Sequence, residues 1–215
     1  HIHRDIILRK PVLYKIYCDK YTEFKNFLEQ NQQNGVILEI GSGSGLSKLF
    51  LPEILSSEIT FFPWIDAVFN ATELPFSNDS ISCIFVDGVF HHLTHPKKFL
   101  EEAFRCLKIG GHIYMIEPQP TLLSRLVFKY IHHEPFDENS GWELRFNSQK
   151  NRLTEANLAL PWIIFIRDKS LFETSFPWFK FSKQHGSKPF QYLMSGGLSY
   201  RQLWPTKLWW VIKFF

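Results

Sequence analysis

The stretch that most constrains the fold is VILEIGSGSGLSKLF, residues 36–50. Val36–Ile40 is short, apolar and β-branched at both ends, which predicts a buried parallel strand. A loop that alternates glycine with serine follows at once, and residues 46–50 are predicted to form a short helix. The loop after the first strand of an α/β sheet lies at the carboxyl edge, where such folds bind ligands. The sequence therefore predicts a ligand-binding loop here.

Apolar segments alternate with helical ones on both sides of this loop. A helix is predicted over residues 11–33, and another over residues 96–107, where Pro96 suits the first helical turn. Further strands are predicted over residues 54–58, 65–70, 81–86 and 112–116. This alternation is typical of a parallel sheet with right-handed crossovers.

We predict a Rossmann-like three-layer α/β sandwich with a mostly parallel, seven-stranded sheet. Residues 1–215 are predicted to form a single domain, divided into an N-terminal helix, a ligand-binding core, a lid and a final antiparallel strand pair: 1–35, 36–117, 118–175 and 176–215. The strand pair is predicted over residues 179–185 and 189–194. The lid is predicted because a long irregular segment within a compact domain is usually functional.

The spacing of the glycines distinguishes between nucleotide classes. A dinucleotide fingerprint is G-x-G-x-x-G, whereas Gly41, Gly43 and Gly45 are followed by Leu46. A P-loop is excluded because no Gly-Lys-Ser or Gly-Lys-Thr follows. A tight turn without a ligand and an NAD-dependent oxidoreductase both stay open as alternatives on the loop alone.

With Glu39 included, the loop reads E-x-G-x-G-x-G, which resembles motif I of the class I S-adenosylmethionine-dependent methyltransferases. The resemblance continues in that family's order through ATELPF (71–76), NDSIS (78–82), DGVFHHL (87–93) and RCLKIGG (105–111). It is closest to the small-molecule, methyltransferase type 11-like branch. The resemblance implies a methyltransferase whose cofactor is S-adenosylmethionine.

The resemblance assigns roles to residues of the loop and of the second strand. Gly41, Ser42 and Gly43 would lie beneath the methionine and ribose portions of the cofactor, and Glu39 would hold the loop and the cofactor edge. An acid that ends strand 2 accepts hydrogen bonds from both ribose hydroxyls in this family, and Glu58 is the candidate here. A carboxylate suits this role because its two oxygens accept two donors at once.

Three further positions complete the predicted cofactor site. Asn70 and Ala71 stand where the family commonly has Asp-Ala beside the adenine amino group, and Asp87 opens the loop after strand 4. The rival to Glu58 is Asp66, which falls inside the predicted third strand.

Methyl transfer needs a positioned acceptor, and an oxygen acceptor usually needs a base. His91 and His92, which follow strand 4, and His133, in the predicted lid, are the candidate catalytic residues. A capping or packing role is the alternative for His92. No metal is predicted, because neither His91 with His95 nor the run 132–134 has a metal-ligand signature.

The acceptor is predicted to be a small molecule, a sugar or a lipid precursor, methylated on oxygen. Planar and titratable side chains of the lid are expected to line its pocket: Tyr130, His133, Trp142, Phe146 and Trp162. Nucleic acid is not expected as a partner, because the net charge of +3 is not concentrated in any basic run. A non-catalytic binding protein built on the same fold is the further alternative.

The expected location is cytoplasmic. Three cysteines without metal-ligand spacing fit a reducing compartment, and no signal peptide or transmembrane segment is predicted. The apolar run LWWVIKFF (208–215) is either a peripheral membrane contact or a last core segment. The sequence does not indicate an oligomeric state.

Overall fold

The computed structural model of this protein describes residues 2–130, 132–144, 156–182 and 189–212. Its centre is a sheet of five parallel strands in the order β3-β2-β1-β4-β5. The strands are β1 (Val36–Ile40), β2 (Leu55–Glu58), β3 (Ala67–Val68), β4 (Ile81–Asp87) and β5 (Leu107–Ile116). The predicted Rossmann-like parallel sheet is therefore present, but the prediction of seven strands is wrong for the described residues.

Eight α-helices are described. They are α1 (Ile2–Arg9), α2 (Pro11–Gln30), α3 (Pro96–Cys106), α4 (Leu122–Tyr130), α5 (Leu160–Trp162), α6 (Lys169–Ser175), α7 (Pro189–Ser195) and α8 (Trp209–Ile212). A π-helical turn, Ile163–Arg167, joins α5 to α6, and short 3-10 helices cover Leu46–Leu49, Phe90–His92 and Thr206–Leu208.

The sheet is buried on both faces because its central strands alternate two sets of apolar side chains. On one face, Leu38 and Ile84 pack in a cluster with Phe99 of α3 and with the helical segment that contains Phe165. On the other face, Phe85 belongs to a second cluster with residues of α2. The helix α2 thus covers one side of β1 and β4, and α3 covers the other.

Aromatic stacking fixes α2 against the sheet. The rings of Phe24 and Phe85 are stacked with centroids 4.2 Å apart, and Phe24 is fully buried. Tyr114 of β5 lies 5.2 Å from Phe24, centroid to centroid. Such pairs contribute about 0.5–1.5 kcal/mol beyond their burial, and here they place the middle of α2 beside the carboxyl ends of the strands.

The predicted antiparallel strand pair is not found. Pro189–Ser195 is helix α7, and residues 179–182 form no strand; residues 183–185 of the first predicted strand lie outside the described residues. Phe190 and Met194, four residues apart, pack against a buried cluster that contains Val12 and Ile16 of α2. Burial of this helical face on α2 explains why the segment is a helix, since short apolar runs do not distinguish the two structures.

The sequence predicts that α3 ends at residue 107 and that the fifth strand begins at residue 112. Instead β5 begins at Leu107, directly after the helix, and its pairing with β4 shifts register between the partners Leu107 and His112. Gly110 lies at φ +78° within this irregular part. A glycine at positive φ accommodates a bulge in a strand as well as it accommodates a turn.

Among the described residues, no helix combines the length and the apolar character that crossing a membrane requires.

Candidate functional site

The glycine loop lies between β1 and the 3-10 helix that begins at Leu46. Its three glycines lie at φ +70°, +47° and +63° in chain order, a region that residues with a Cβ rarely occupy. A Cβ on Gly41 would lie 2.3 Å from Val89 Cγ2, and one on Gly45 would lie 2.4 Å from Trp64 Cδ1. Trp64 also donates from Nε1 to the carbonyl of Gly43 over 2.9 Å. Trp64, which the sequence analysis did not identify, thus packs on the loop and supports it.

Glu39 lies beneath the loop rather than in it. Its side chain is buried and accepts a hydrogen bond from the Ser47 hydroxyl, which ties β1 to the 3-10 helix. Ser57 of β2 donates its hydroxyl to the Glu39 carbonyl over 2.7 Å. Burial raises the pKa of Glu39 to about 7, although the hydrogen bond from Ser47 opposes the shift.

This raised pKa predicts a specific dependence of stability on pH. Between about pH 4.5 and pH 7, Glu39 keeps its proton in the folded protein but loses it in the unfolded chain. The contribution of Glu39 to the free energy of unfolding therefore decreases as pH rises through that window. Chemical denaturation of the wild type and of Glu39→Gln should show the wild type losing roughly 2–3 kcal/mol relative to the variant between pH 5 and pH 8. A difference that does not change with pH would contradict the prediction.

Glu58 is the carboxylate beside the loop. It ends β2, its Oε2 accepts the Gly43 N–H over 3.1 Å, and its Oε1 accepts the N–H of Ile59 over 2.9 Å. The rival, Asp66, lies just before β3 and accepts from the N–H and the hydroxyl of Ser56, both over 2.8 Å. Asp66 thus connects β2 to the segment before β3, whereas Glu58 contacts the glycine loop.

The pKa of Asp66 agrees with that structural position. Burial raises it, but the hydrogen bonds from Lys48 and Ser56 outweigh burial and lower the pKa of Asp66 below its usual value. Its ion pair with Lys48 connects it to the 3-10 helix after the glycine loop.

The other predicted cofactor residues lie at the same edge of the sheet. The Oδ1 of Asn70 accepts the N–H of Thr72 over 3.1 Å, and Ala71 is buried in the core. Asp87, at the end of β4, pairs with Lys20 of α2 over 2.7 Å. No sequence motif pointed to Lys20, because the contact depends on how α2 packs across the strand ends.

The three candidate catalytic histidines converge on one carboxylate, that of Glu134. His91 Nε2 lies 3.4 Å from Oε2 of Glu134, His92 Nε2 lies 3.5 Å from Oε1, and His133 Nε2 lies 3.8 Å from Oε1. His91 is buried and His133 is exposed. The loops after β4 and α4 therefore meet at Glu134.

Glu117 holds His91 from the other side. The Oε2 of Glu117 lies 2.7 Å from His91 Nδ1. Its Oε1 accepts the backbone N–H groups of Val89 and Phe90, over 2.9 and 2.6 Å. This side chain, which the sequence analysis did not single out, fixes both the backbone and the imidazole of the loop after β4.

The two flanking carboxylates determine the charge of His91. Burial lowers its pKa, but the charge and hydrogen bond of Glu117, followed by those of Glu134, outweigh burial and raise the pKa of His91 to about 9. Burial raises the pKa of Glu134, but the hydrogen bond and charge of His91 lower it to about 2. At neutral pH His91 is therefore an imidazolium between two carboxylates, and it cannot accept another proton in this arrangement.

The segment predicted to be a lid packs on the same loop. Asn157 donates its N–H to the carbonyl of His91 over 2.9 Å, and its side chain bonds to residues of the 137–140 turn. Trp142 is buried in the main core cluster and donates from Nε1 to Asp168 over 2.9 Å. Trp142 is thus a core residue and not an exposed pocket wall, whereas Phe146, from the same predicted set, lies outside the described residues.

Part of the chain is similar to known methyltransferases. The family description "Methyltransferase domain" matches residues 65–115, which run from β3 to β5. The ubiquinone/menaquinone biosynthesis C-methyltransferase UbiE of Proteus mirabilis is 37% identical over 67 residues, covering 30% of this chain and 27% of that protein. UbiE of Methylococcus capsulatus is 37% identical over 51 residues, covering 24% and 21% respectively. The chain thus spans only about a quarter of the length of these curated relatives.

Solved structures show a partial likeness. A methyltransferase from Thermotoga maritima has a TM-score of 0.42 and 23% identity, covering 51% of this chain and 57% of that one. The geranyl diphosphate C-methyltransferase of Streptomyces coelicolor has a TM-score of 0.39 and 14% identity, covering 58% and 56%.

The family description and the UbiE relatives agree with the predicted resemblance to the methyltransferases over the part of the chain that they match. The family match includes His91 and His92 and ends at Met115, before Glu117 and Glu134.

Proposed function

We propose that this chain binds S-adenosylmethionine across the glycine loop and transfers its methyl group to a small-molecule acceptor. The observation that carries the proposal is the position of the Glu58 carboxylate, within hydrogen-bond distance of the Gly43 N–H at the carboxyl ends of β1 and β2. The proposed cofactor-binding set is Glu39, Gly41, Ser42, Gly43, Glu58, Asn70, Ala71 and Asp87.

The residues present fit this cofactor. Each oxygen of Glu58 accepts one backbone N–H, which leaves acceptor capacity on both for the two ribose hydroxyls, because a carboxylate has about four acceptor sites. A Cβ on Gly43 would meet only the carbonyl oxygen of Gly41, at 3.8 Å, so the loop has open space above this residue. An extended ligand can therefore approach the backbone closely at Gly43.

When bound, S-adenosylmethionine supplies a methyl group already activated on a sulfonium. The protein then has to position the acceptor, exclude water and, for an oxygen acceptor, remove a proton. The loops after β4 and α4, with the segment 118–175 as a lid, are the proposed acceptor site. His92 and His133 are the proposed proton acceptors, since His91 is already protonated between its carboxylates, where it orients Glu134.

The proposed acceptor atom is an oxygen of a sugar or lipid precursor. This assignment rests on the histidine cluster, which supplies the proton transfer that an oxygen acceptor needs. A carbon acceptor is a second candidate, because the relatives with 37% identity are named as C-methyltransferases. Nuclear magnetic resonance of the product formed with a labelled methyl group separates an O-methyl from a C-methyl product.

Calorimetric titration tests the cofactor assignment. In the presence of EDTA, S-adenosylmethionine and its demethylated product should bind the wild type, and NAD should not. Glu58→Ala should weaken that binding roughly tenfold or more, since a hydrogen bond to a charged group contributes about 1.5–3 kcal/mol.

The matched control is Glu53→Ala, which removes an exposed glutamate before β2 and should leave the dissociation constant unchanged. Binding of NAD without binding of S-adenosylmethionine would overturn the proposed function in favour of an oxidoreductase. Binding of neither would favour a different, non-catalytic role for the fold.

A further inference from the structure

We propose that His91, His92 and Glu134 form a binding site for a divalent transition-metal ion. One ligand atom from each of these residues lies within 4.8 Å of the others. Two of the residues are consecutive in the 3-10 helix after β4, and the third follows α4. The set therefore comes from two loops distant in sequence, which explains why no motif signalled it.

The carboxylate–imidazole distances are close to those that one ion would require. Two ligands about 2.0–2.1 Å from a tetrahedral centre are separated by about 3.3–3.4 Å. Oε2 of Glu134 lies 3.4 Å from His91 Nε2, its Oε1 lies 3.5 Å from His92 Nε2, and one ligand atom from each residue lies within 4.8 Å of the others. These separations are at the long limit of a hydrogen bond, and they also suit an ion coordinated between the groups.

Glu117 provides the support that a metal-binding histidine usually has. A coordinating imidazole typically donates its second N–H to a carboxylate, which fixes the tautomer and the orientation of the ring. Here Glu117 holds His91 Nδ1 at 2.7 Å, which directs Nε2 towards Glu134. Glu117 is itself fixed by two backbone N–H groups of the same loop.

The charges also suit a dication. The carboxylates of Glu117 and Glu134 carry two negative charges at a largely buried position, with side-chain exposures of 7% and 20%. With both imidazoles neutral, a divalent ion would balance the two carboxylates. Without an ion, the same groups form a charge-paired bridge between the two loops, which is the competing explanation for the cluster.

The donor set indicates which ions would bind. Two imidazole nitrogens and one carboxylate favour Zn²⁺, Fe²⁺ or Co²⁺ over Mg²⁺ and Ca²⁺, which prefer oxygen ligands. Three protein ligands also leave a coordination position open. The site therefore resembles an ion-binding site that accepts an external ligand rather than a closed structural site.

The role of the ion rests on the proposed function. The cluster lies after β4, at the carboxyl edge where the acceptor is proposed to bind. An acceptor hydroxyl bound to the ion would lose its proton more readily. Because the ion would occupy Nε2 of His92, that proton would pass to His133 or to water. The oxygen would then form a bond to the methyl carbon as the carbon–sulfur bond of the cofactor breaks, which leaves the demethylated cofactor as the product.

Cobalt titration tests the site without any acceptor. The metal-free wild type should bind one equivalent of Co²⁺ with visible absorption bands of low coordination number, and Zn²⁺ should displace it. His92→Ala and Glu134→Gln should each weaken binding by at least about tenfold, and Glu117→Gln by about 10–100-fold through its effect on His91.

His133→Ala is the matched control, because it removes an adjacent, exposed histidine outside the proposed set, and it should bind Co²⁺ like the wild type. Circular dichroism and thermal unfolding establish that each variant is folded; His92 is preferred to the buried His91 for this reason. Equal loss in His133→Ala and His92→Ala would assign binding to surface histidines and overturn the proposal, as would absence of cobalt bands in the wild type. Cofactor titration in EDTA is independent of this result, so the two proposals fail separately.

Discussion

Replacing Glu117 by alanine is expected to lower the free energy of unfolding by about 3–5 kcal/mol at pH 7. The side chain is only 7% exposed, and it holds the loop after β4 through His91 and two backbone N–H groups. Its removal leaves a buried imidazolium with one partner fewer and two backbone donors without their acceptor. A buried charge that loses a partner and buried donors without an acceptor are both strongly destabilising. Urea denaturation of the purified variant measures the loss.

Two further variants separate charge from size. Glu117→Gln keeps a side-chain acceptor but no charge, and should lose less stability than the alanine variant. Glu101→Ala removes an exposed glutamate of α3 and should stay within about 0.5 kcal/mol of the wild type. If Glu117→Ala were as stable as Glu101→Ala, the contacts of Glu117 would contribute little to the fold, and its proposed support of His91 would lose its basis.

Local sequence pattern correctly predicted the elements whose structure depends mainly on their own residues. Val36–Ile40 was predicted with the bounds observed, and α3 differs from its prediction by one residue. The first is a continuous apolar run and the second has an apolar stripe at helical spacing, and residues that favour turns flank each of them. The sheet around them followed from the alternation of strands and helices.

The predictions are wrong for segments whose structure is determined by tertiary contacts. Residues 189–194 were predicted as a strand, but Phe190 and Met194 pack as one helical face on α2. Their spacing of four residues was a signal for a helix, although it is a weak one over so short a segment. The fifth strand is predicted over residues 112–116 alone, whereas the observed β5 begins at Leu107 and pairs irregularly with β4.

Only those residues of the candidate site that belong to local sequence motifs could be predicted. Residues in the glycine loop and after β4 belong to motifs, so the family resemblance identifies them as candidates. Lys20, Trp64 and Glu117 belong to no motif; they reach the site because separate elements pack there. An acid directly after a parallel strand is a usable signal for Glu117, since the carboxyl ends of the strands share one edge.

The glycines of the loop should differ in what they contribute, and a pair of alanine variants should show it. Gly45→Ala is expected to destabilise the protein by about 2–6 kcal/mol, from backbone strain of about 1–3 kcal/mol and overpacking of about 1–3 kcal/mol. The residue lies at φ +63°, and the new Cβ would lie 2.4 Å from Trp64 Cδ1. The ring of Trp64 would have to move, and with it the hydrogen bond to the Gly43 carbonyl.

Gly43→Ala should affect cofactor binding more than stability. Its φ of +47° imposes strain of about 1–2 kcal/mol, but the new Cβ would point into open space rather than into a side chain. If the proposed cofactor lies over this part of the loop, the Cβ would occupy the space that the cofactor needs. The affinity for S-adenosylmethionine should therefore fall by at least about tenfold while the protein stays folded.

Gly141→Ala is the control for both variants, since Gly141 has no positive φ and no atom within 4 Å of a Cβ placed on it; it should change neither quantity. Thermal unfolding and calorimetric titration on the three variants give the two readouts. A Gly43→Ala protein that binds S-adenosylmethionine like the wild type would place the cofactor away from the loop. A Gly45→Ala protein of wild-type stability would mean that Trp64 adjusts at no cost and that the close packing at Gly45 does not constrain the loop.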